Sequence, residues 1–158
     1  MATYGTGPVP PRGGVDPGRL WAGGIAASLV AGGVAAVGYL FVRGVLDIPM
    51  LSARPSGRVV EPSLLSYAAL AVLAGILATG LAYVLVLTTP RPHVYFGWII
   101  GLATAAAMLV PLSLDQSLAS QLATATVNLA VGITIGVLVS TAVGASRRRV
   151  PPVYDPLA

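Results

Sequence analysis

The pattern of charged and uncharged positions divides the chain into four long uncharged stretches. These stretches are residues 20–42, 62–90, 94–114 and 116–146, and every acidic or basic side chain lies between or outside them. A helix needs about 20 consecutive apolar residues to cross the ~30 Å hydrocarbon core of a bilayer. The pattern therefore predicts an all-α membrane protein, a bundle of four transmembrane helices with little mass outside the membrane.

The boundaries of the predicted elements follow from the prolines and charges at the ends of each stretch. We expect one transmembrane domain over residues 20–144 with an outer loop at 43–61, and its helices cover about residues 20–42, 63–87, 94–112 and 116–144. Ser113 and Asp115 are candidate caps for the fourth helix. Proline and glycine are frequent in residues 1–19, so we predict a disordered cytoplasmic tail there. Residues 145–158 are predicted to form a basic, proline-rich cytoplasmic tail.

The distribution of arginine predicts the orientation. The side with both tails and the second connector carries Arg12, Arg19, Arg91, Arg147, Arg148 and Arg149. The opposite side carries Arg43, Arg54 and Arg58. Short segments rich in arginine stay in the cytoplasm, so we expect both termini to be cytoplasmic, in a bacterial inner membrane. The net charge of +4 is then explained by arginines that set the topology of the chain in the membrane. No nucleic-acid partner is expected.

Small residues recur at every fourth position of each predicted helix and therefore share one face. The four ladders are Gly24, Ser28, Gly32 and Ala36; Ala71, Gly75 and Thr79; Gly97, Gly101 and Ala105; and Gly132, Gly136, Ser140 and Gly144. Small residues let helices approach closely in lipid, where little hydrophobic force drives them together. We take Gly32, Gly75, Gly101 and Gly136 as the central packing positions. Packing within the bundle and a face reserved for another protein are both open.

Few residues of this chain are suited to catalysis or ion coupling. Every Asp and Glu lies outside the predicted spans, there is no cysteine, and His93 is the only histidine. A proton-driven pump normally needs an ionisable group inside the membrane, and an activated serine or threonine needs a neighbouring base. The sequence therefore predicts no enzyme, no catalytic residue, no cofactor and no metal site.

One polar set lies inside a predicted span. Gln121, Thr124 and Asn128 are three and four residues apart, so they share a face of the fourth helix. They either make hydrogen bonds between helices or line a groove for a lipid or solute. The cluster Arg147, Arg148 and Arg149 ends the last span, and we expect it to contact lipid headgroups.

The order of short motifs resembles that of a group of small actinobacterial four-helix membrane proteins, domain-of-unknown-function family 6069. The matching pieces are Asp47-Ile48-Pro49, Pro90-Arg91-Pro92, Val110-Pro111-Leu112-Ser113-Leu114 and Ala123-Thr124-Ala125-Thr126-Val127-Asn128-Leu129. The resemblance covers about residues 20–143 and implies the same four-span fold. Members of that group often carry histidine where this chain has Asn128, and the resemblance implies no activity.

Two functions are compatible with these observations. The first is a non-catalytic accessory or scaffold subunit of a larger inner-membrane complex, such as an actinobacterial cell-envelope lipid transporter or a respiratory assembly. The alternative is a small oligomeric transporter or channel for an uncharged or lipidic solute that passes Gln121, Thr124 and Asn128. Either function predicts membrane lipids and other membrane subunits, identical or different, as partners.

Overall fold

The computed structural model describes residues 16–50, 52–53, 59–60 and 62–146. Its helices are α1 (Pro17–Leu40), α2 (Leu64–Thr88), α3 (Pro92–Leu112) and α4 (Leu118–Ala145). A two-residue antiparallel ladder joins β1 (Ser52–Ala53) to β2 (Val59–Val60) in the loop between α1 and α2. All four helices are long and apolar enough to cross a bilayer. The predicted all-α, four-helix membrane bundle is therefore confirmed, and the chain is a multi-pass membrane protein.

The first and last helices begin at positions that differ from the predicted ones. α1 begins at Pro17 because the Asp16 side chain accepts the N–H groups of Gly18 and Arg19, so these residues belong to the first turn of α1 and not to the tail. α4 begins only after Ser117, whose hydroxyl accepts the N–H of Ser120. The predicted cap Ser113 instead ends α3.

The first helix continues past its regular part through a π-helical turn, Phe41–Val45. The span therefore reaches Val45, three residues further than predicted. Asp47 then adopts a positive φ of 51°, where the chain turns away from the helix. Beyond this turn the Met50 side chain is buried between α1 and α4, next to Val42 and Val127.

Close backbone contact joins α1 to α2. Gly24 lies against Thr79 and Gly75 against Ser28, so the two antiparallel helices interlock. A methyl group added at Gly75 would lie 2.8 Å from the Ser28 Cα atom, which leaves no space for a larger residue. The hydroxyls of Ser28 and Thr79 donate to the carbonyls of Gly24 and Gly75, four residues earlier in their own helices. The small-residue ladders of α1 and α2 are thus used inside the bundle.

The third helix is less covered than the other three. It runs antiparallel to α4, where Gly132 lies against Thr104, but has few contacts with α2. In the most apolar 18-residue stretch of α3, 11% of the residues are buried, whereas 33% are buried in the corresponding stretch of each other helix. The buried residues of α3 lie near its ends, at Pro92, Phe96 and Pro111. In the bundle α1 therefore packs along both α2 and α4, and α3 is attached mainly along α4.

The ends of the described chain lie together. The backbone N–H of Asp16 donates to the carbonyl of Ser146 at 3.0 Å, which brings the start of α1 to the finish of α4. We call this the terminal end of the bundle, and it also holds the short connector between α2 and α3. The opposite end, with the α1–α2 and α3–α4 loops, is called the loop end.

Candidate functional site

An open groove lies between α2, α3 and α4, because α3 diverges from α2. Its volume is about 720 Å³, and nearly all of its lining is aliphatic. The polar side chains that line it, among the residues that the structure describes, are Tyr67, Thr104 and Asn128. No described acidic or basic residue lines it. The groove therefore accommodates an apolar molecule and disfavours a charged one.

Asn128 lines the groove toward the loop end and joins three helices. Its side-chain amide donates to the backbone carbonyl of Ala107 in α3 at 2.7 Å. Its oxygen accepts the Tyr67 hydroxyl of α2 at 2.6 Å. Since Asn128 itself belongs to α4, a single side chain fixes the relative positions of α2, α3 and α4.

The Ala107 carbonyl is available to Asn128 because of Pro111. In a regular helix this carbonyl would accept the N–H of the residue four positions later. That residue is Pro111, which lies inside α3 and has no N–H. An unpaired carbonyl is costly in the hydrocarbon region, and Asn128 supplies the missing donor from the neighbouring helix.

The other two members of the predicted polar patch do not line the groove, and they bind other groups of the protein. The Gln121 amide donates to the carbonyls of Leu114 and Gln116 and so holds the α3–α4 loop. The buried Thr124 hydroxyl lies 3.9 Å from the Met50 sulfur and fixes the segment after α1. The structure does not bring Gln121, Thr124 and Asn128 together into one solute path, although all three lie on α4. Each one connects a different element to that helix.

Tyrosines reinforce the loop end next to Asn128. The Tyr39 hydroxyl donates to the Pro62 carbonyl at 3.0 Å, which connects α1 to the start of α2. The rings of Tyr39 and Tyr67 lie 6.2 Å apart, within the range of favourable aromatic pairs. Tyr39 and Tyr67 thus hold the loop ends of α1, α2 and α4 together.

The remaining polar residue of the groove is Thr104, and its hydroxyl lacks the hydrogen bond that most other threonines of the four helices make. Those at positions 79, 88, 126 and 134 donate to the carbonyl four residues earlier. The Thr104 hydroxyl has no hydrogen bond to any residue that the structure describes. Every fully buried side-chain oxygen in that part of the chain has a partner, so the Thr104 oxygen is not fully buried, and Thr104 lines the groove.

Comparison with known proteins identifies the family. The model of a family of unknown function, DUF6069, matches residues 15–145. The chain belongs to this family. No curated protein and no solved structure matches it. The resemblance seen in the short motifs is therefore confirmed, and the match covers all four helices of this DUF6069 member.

The predicted packing glycines divide into two groups. Gly32 lies against Val72 and Gly75 against Ser28, both in the α1–α2 contact, while Gly136 has only ordinary contact with Ile100 at 3.4 Å. Gly101 takes no part in packing within the bundle, because no described atom lies within 4 Å of a side chain built there. The reason is rotation of α3: Ile100 and Thr104 face α4, so Gly101 lies on the exposed side.

The exposed side of α3 carries the rest of its small-residue ladder. Gly97 and Ala105 are exposed like Gly101, and the large apolar side chains of Trp98 and Leu102 lie next to them. We call Gly97, Gly101 and Ala105 the α3 small-residue face. The groove residues Ala103 and Ala107 lie on a different face of the same helix.

The basic residues of the sequence motifs lie near or beyond the ends of the helices. Arg147, Arg148 and Arg149 follow Ser146 and lie outside the described residues. Arg19 and Arg91 are both at the terminal end, whereas Arg43 is at the loop end. His93 is exposed in the first turn of α3 and lines a small cavity of about 230 Å³ with Ser140. No group of described histidine and acidic residues is arranged to hold a metal ion.

Sequence reasoning identified Asn128 but not its partners. Pro111 carried a usable signal, since a proline inside a helix leaves the carbonyl four residues earlier without its donor. Tyr67 and Thr104 carried none, because their roles depend on the rotation of α2 and α3 about their axes.

Proposed function

We propose that this protein is a non-catalytic accessory or scaffold subunit that binds another membrane protein along the α3 small-residue face. The observation that carries the proposal is the exposure of this face, while the corresponding faces of α1 and α2 are used within the bundle. Interfaces between helices in lipid are enriched in small residues, which allow the two backbones to approach closely. An unpaired ladder on the least covered helix is therefore suited to a partner helix.

The environment of the other residues supports a structural role. Gln121, Thr124 and Asn128 bind groups of the bundle itself, and none of these three side chains is charged or titratable. The proposed hosts are an actinobacterial cell-envelope lipid transporter or a respiratory assembly in the inner membrane. In this proposal both termini are cytoplasmic, because the terminal end adjoins the more arginine-rich segments.

The groove between α2, α3 and α4 favours a second candidate, a small transporter for an uncharged or lipidic solute. Its apolar lining and volume of about 720 Å³ suit such a solute. Replacing Asn128 by Leu would then abolish flux in reconstituted vesicles. Unchanged flux in that variant would remove Asn128 from the path, and no flux in the wild type would remove the transporter hypothesis.

The leading proposal is tested by purification of a tagged copy from native membranes in a mild detergent. We expect a second membrane protein at a constant ratio to the tagged chain, measured by mass spectrometry. Gly101→Leu fills the small-residue face and should lose that protein. Gly33→Leu is the matched control, because Gly33 is exposed on α1 and also has no described atom within 4 Å.

Two results would count against the proposal. One is recovery of only the tagged chain from wild-type membranes. The other is the same partner at the same ratio in the wild type and the Gly101→Leu variant.

A further inference from the structure

We infer that the groove between α2, α3 and α4 is a binding site for a neutral lipid, whose hydroxyl or carbonyl oxygen bonds to Thr104. This lipid site is separate from the proposed scaffold role, because it concerns the groove and not the α3 small-residue face. The first observation is the hydroxyl of Thr104, a groove residue, which is not fully buried and has no hydrogen bond within the described residues.

The position of this hydroxyl is fixed by packing. The Thr104 oxygen and methyl group both lie against Gly132 of α4, and both residues line the groove, so the hydroxyl lies where the α3–α4 contact meets the groove. The usual acceptor for a helical threonine is the carbonyl four residues earlier, and for Thr104 that carbonyl belongs to Ile100. Thr134 on α4 makes this bond to Ala130, but Thr104 does not. A hydroxyl inside the hydrocarbon region is costly without a partner, and a ligand in the groove would provide one.

A second polar group lies along the same groove. Asn128 uses one amide hydrogen for Ala107 and one lone pair for Tyr67. A primary amide has a second hydrogen and a second acceptor site. Asn128 therefore has capacity left for a ligand, and it lies nearer the loop end than Thr104.

The depth of Thr104 determines the class of ligand. Thr104 lies near the middle of α3, a helix that spans the membrane, and the groove has no charged lining residue among those described. A phosphate or ammonium group at this depth is strongly disfavoured. A neutral lipid, such as a diacylglycerol or an isoprenoid alcohol, has no charged headgroup that must remain at the membrane surface. Its apolar chain would lie along the aliphatic groove wall, with its oxygen at Thr104.

The test uses photocrosslinking in phosphatidylcholine vesicles that contain the full-length protein. The probe is a diacylglycerol with a diazirine in one acyl chain, and the labelled peptides are mapped by mass spectrometry. We expect saturable labelling of groove residues in α2, α3 and α4. Thr104→Val keeps the side-chain shape but removes the hydroxyl, and should weaken apparent affinity by about threefold to tenfold.

Two comparisons separate specific binding from nonspecific labelling. Thr134→Val removes a hydroxyl that is already bonded to Ala130, and it should label like the wild type. A phosphatidylglycerol carrying the same diazirine chain should show no dependence on Thr104. Equal diacylglycerol labelling of the wild type, Thr104→Val and Thr134→Val would overturn the inference, as would an equal effect of Thr104→Val on both probes.

The Ala103→Phe variant gives an independent check. Ala103 lines the groove from α3, and a phenyl ring there occupies the proposed lipid position. Labelling by the diacylglycerol probe should fall to background while the circular dichroism spectrum stays unchanged. Wild-type labelling in this variant would place the lipid elsewhere and contradict the inference.

Discussion

Asn128 replaces a hydrogen bond that Pro111 removes from its own helix. The Ala107 carbonyl, left without an intrahelical donor, accepts the Asn128 amide at 2.7 Å, while the Asn128 oxygen accepts the Tyr67 hydroxyl. A proline that would otherwise weaken α3 thereby becomes an attachment point between helices. The packing of α2, α3 and α4 at the loop end therefore depends on the side chain of Asn128.

Replacing Asn128 by Leu should lower the free energy of unfolding by about 1–2 kcal/mol, since two hydrogen bonds inside the membrane are lost. Unfolding of the detergent-solubilised protein in SDS, followed by circular dichroism, measures this change. Thr126→Val is the control, because the exposed Thr126 bonds only to Leu122 in its own helix. An equal loss in both variants would show that Asn128 has no special role.

The link between Pro111 and Asn128 has its own test. Pro111→Ala returns an N–H to α3, so Ala107 regains a donor within its helix. The Asn128→Leu change should then cost less in the Pro111→Ala background, with a coupling energy of about 0.5 kcal/mol or more in a double-mutant cycle. Strictly additive effects would mean that the two residues act independently.

Among the helices, α1 and α2 form the closest pair. Ser28 lies over Gly75, and Thr79 lies over Gly24, so each helix has a small residue where the other has a hydroxyl side chain. This arrangement requires the backbones of α1 and α2 to lie close together, and a single methyl group added at the contact would push them apart.

Gly75→Ala should therefore destabilise the bundle by about 1–3 kcal/mol, since the added methyl group lies 2.8 Å from the Ser28 Cα atom. Gly80→Ala in the same helix has open space around it and should be neutral or stabilising, because alanine favours the helix. SDS unfolding of both variants checks the pair. Equal effects of the two substitutions would contradict the close α1–α2 contact.

The sequence was sufficient to predict the four helices, because an apolar stretch of about 20 residues without any charge is long enough to span the bilayer and is rare in soluble proteins. It also predicted the contact faces of α1 and α2. It did not predict which face of α3 packs against the bundle, since a ladder such as Gly97, Gly101 and Ala105 has the same sequence pattern whether it is covered or exposed. The groove and the position of the Thr104 hydroxyl depend on the rotation of α3 about its axis, so the spacing of residues in the sequence alone could not predict them.

For the whole molecule, the hydrogen bond between Asp16 and Ser146 brings the start of α1 and the finish of α4 to one end. Four spans with both ends of the described chain on one side give two loops on the other side. Combined with the arginine distribution, this arrangement leads to the proposed cytoplasmic position of the terminal end.

Cysteine labelling tests this orientation directly, since the chain has no cysteine of its own. Asp115→Cys at the exposed α3–α4 loop should react with a membrane-impermeant maleimide on intact cells. Arg91→Cys at the exposed α2–α3 connector should react only after the membrane is permeabilised. The reverse pattern would invert the proposed orientation, and labelling of both positions on intact cells would contradict four spans.

The proposed contact between α3 and another membrane protein is tested most directly by photocrosslinking in living cells. A photoreactive phenylalanine replaces Trp98 beside the α3 small-residue face, or Leu29 on α1, and these side chains are 69% and 62% exposed. We expect a covalent adduct with a second membrane protein from position 98 and none from position 29. The absence of a protein adduct at position 98, or the same adduct from both positions, would contradict the proposed contact.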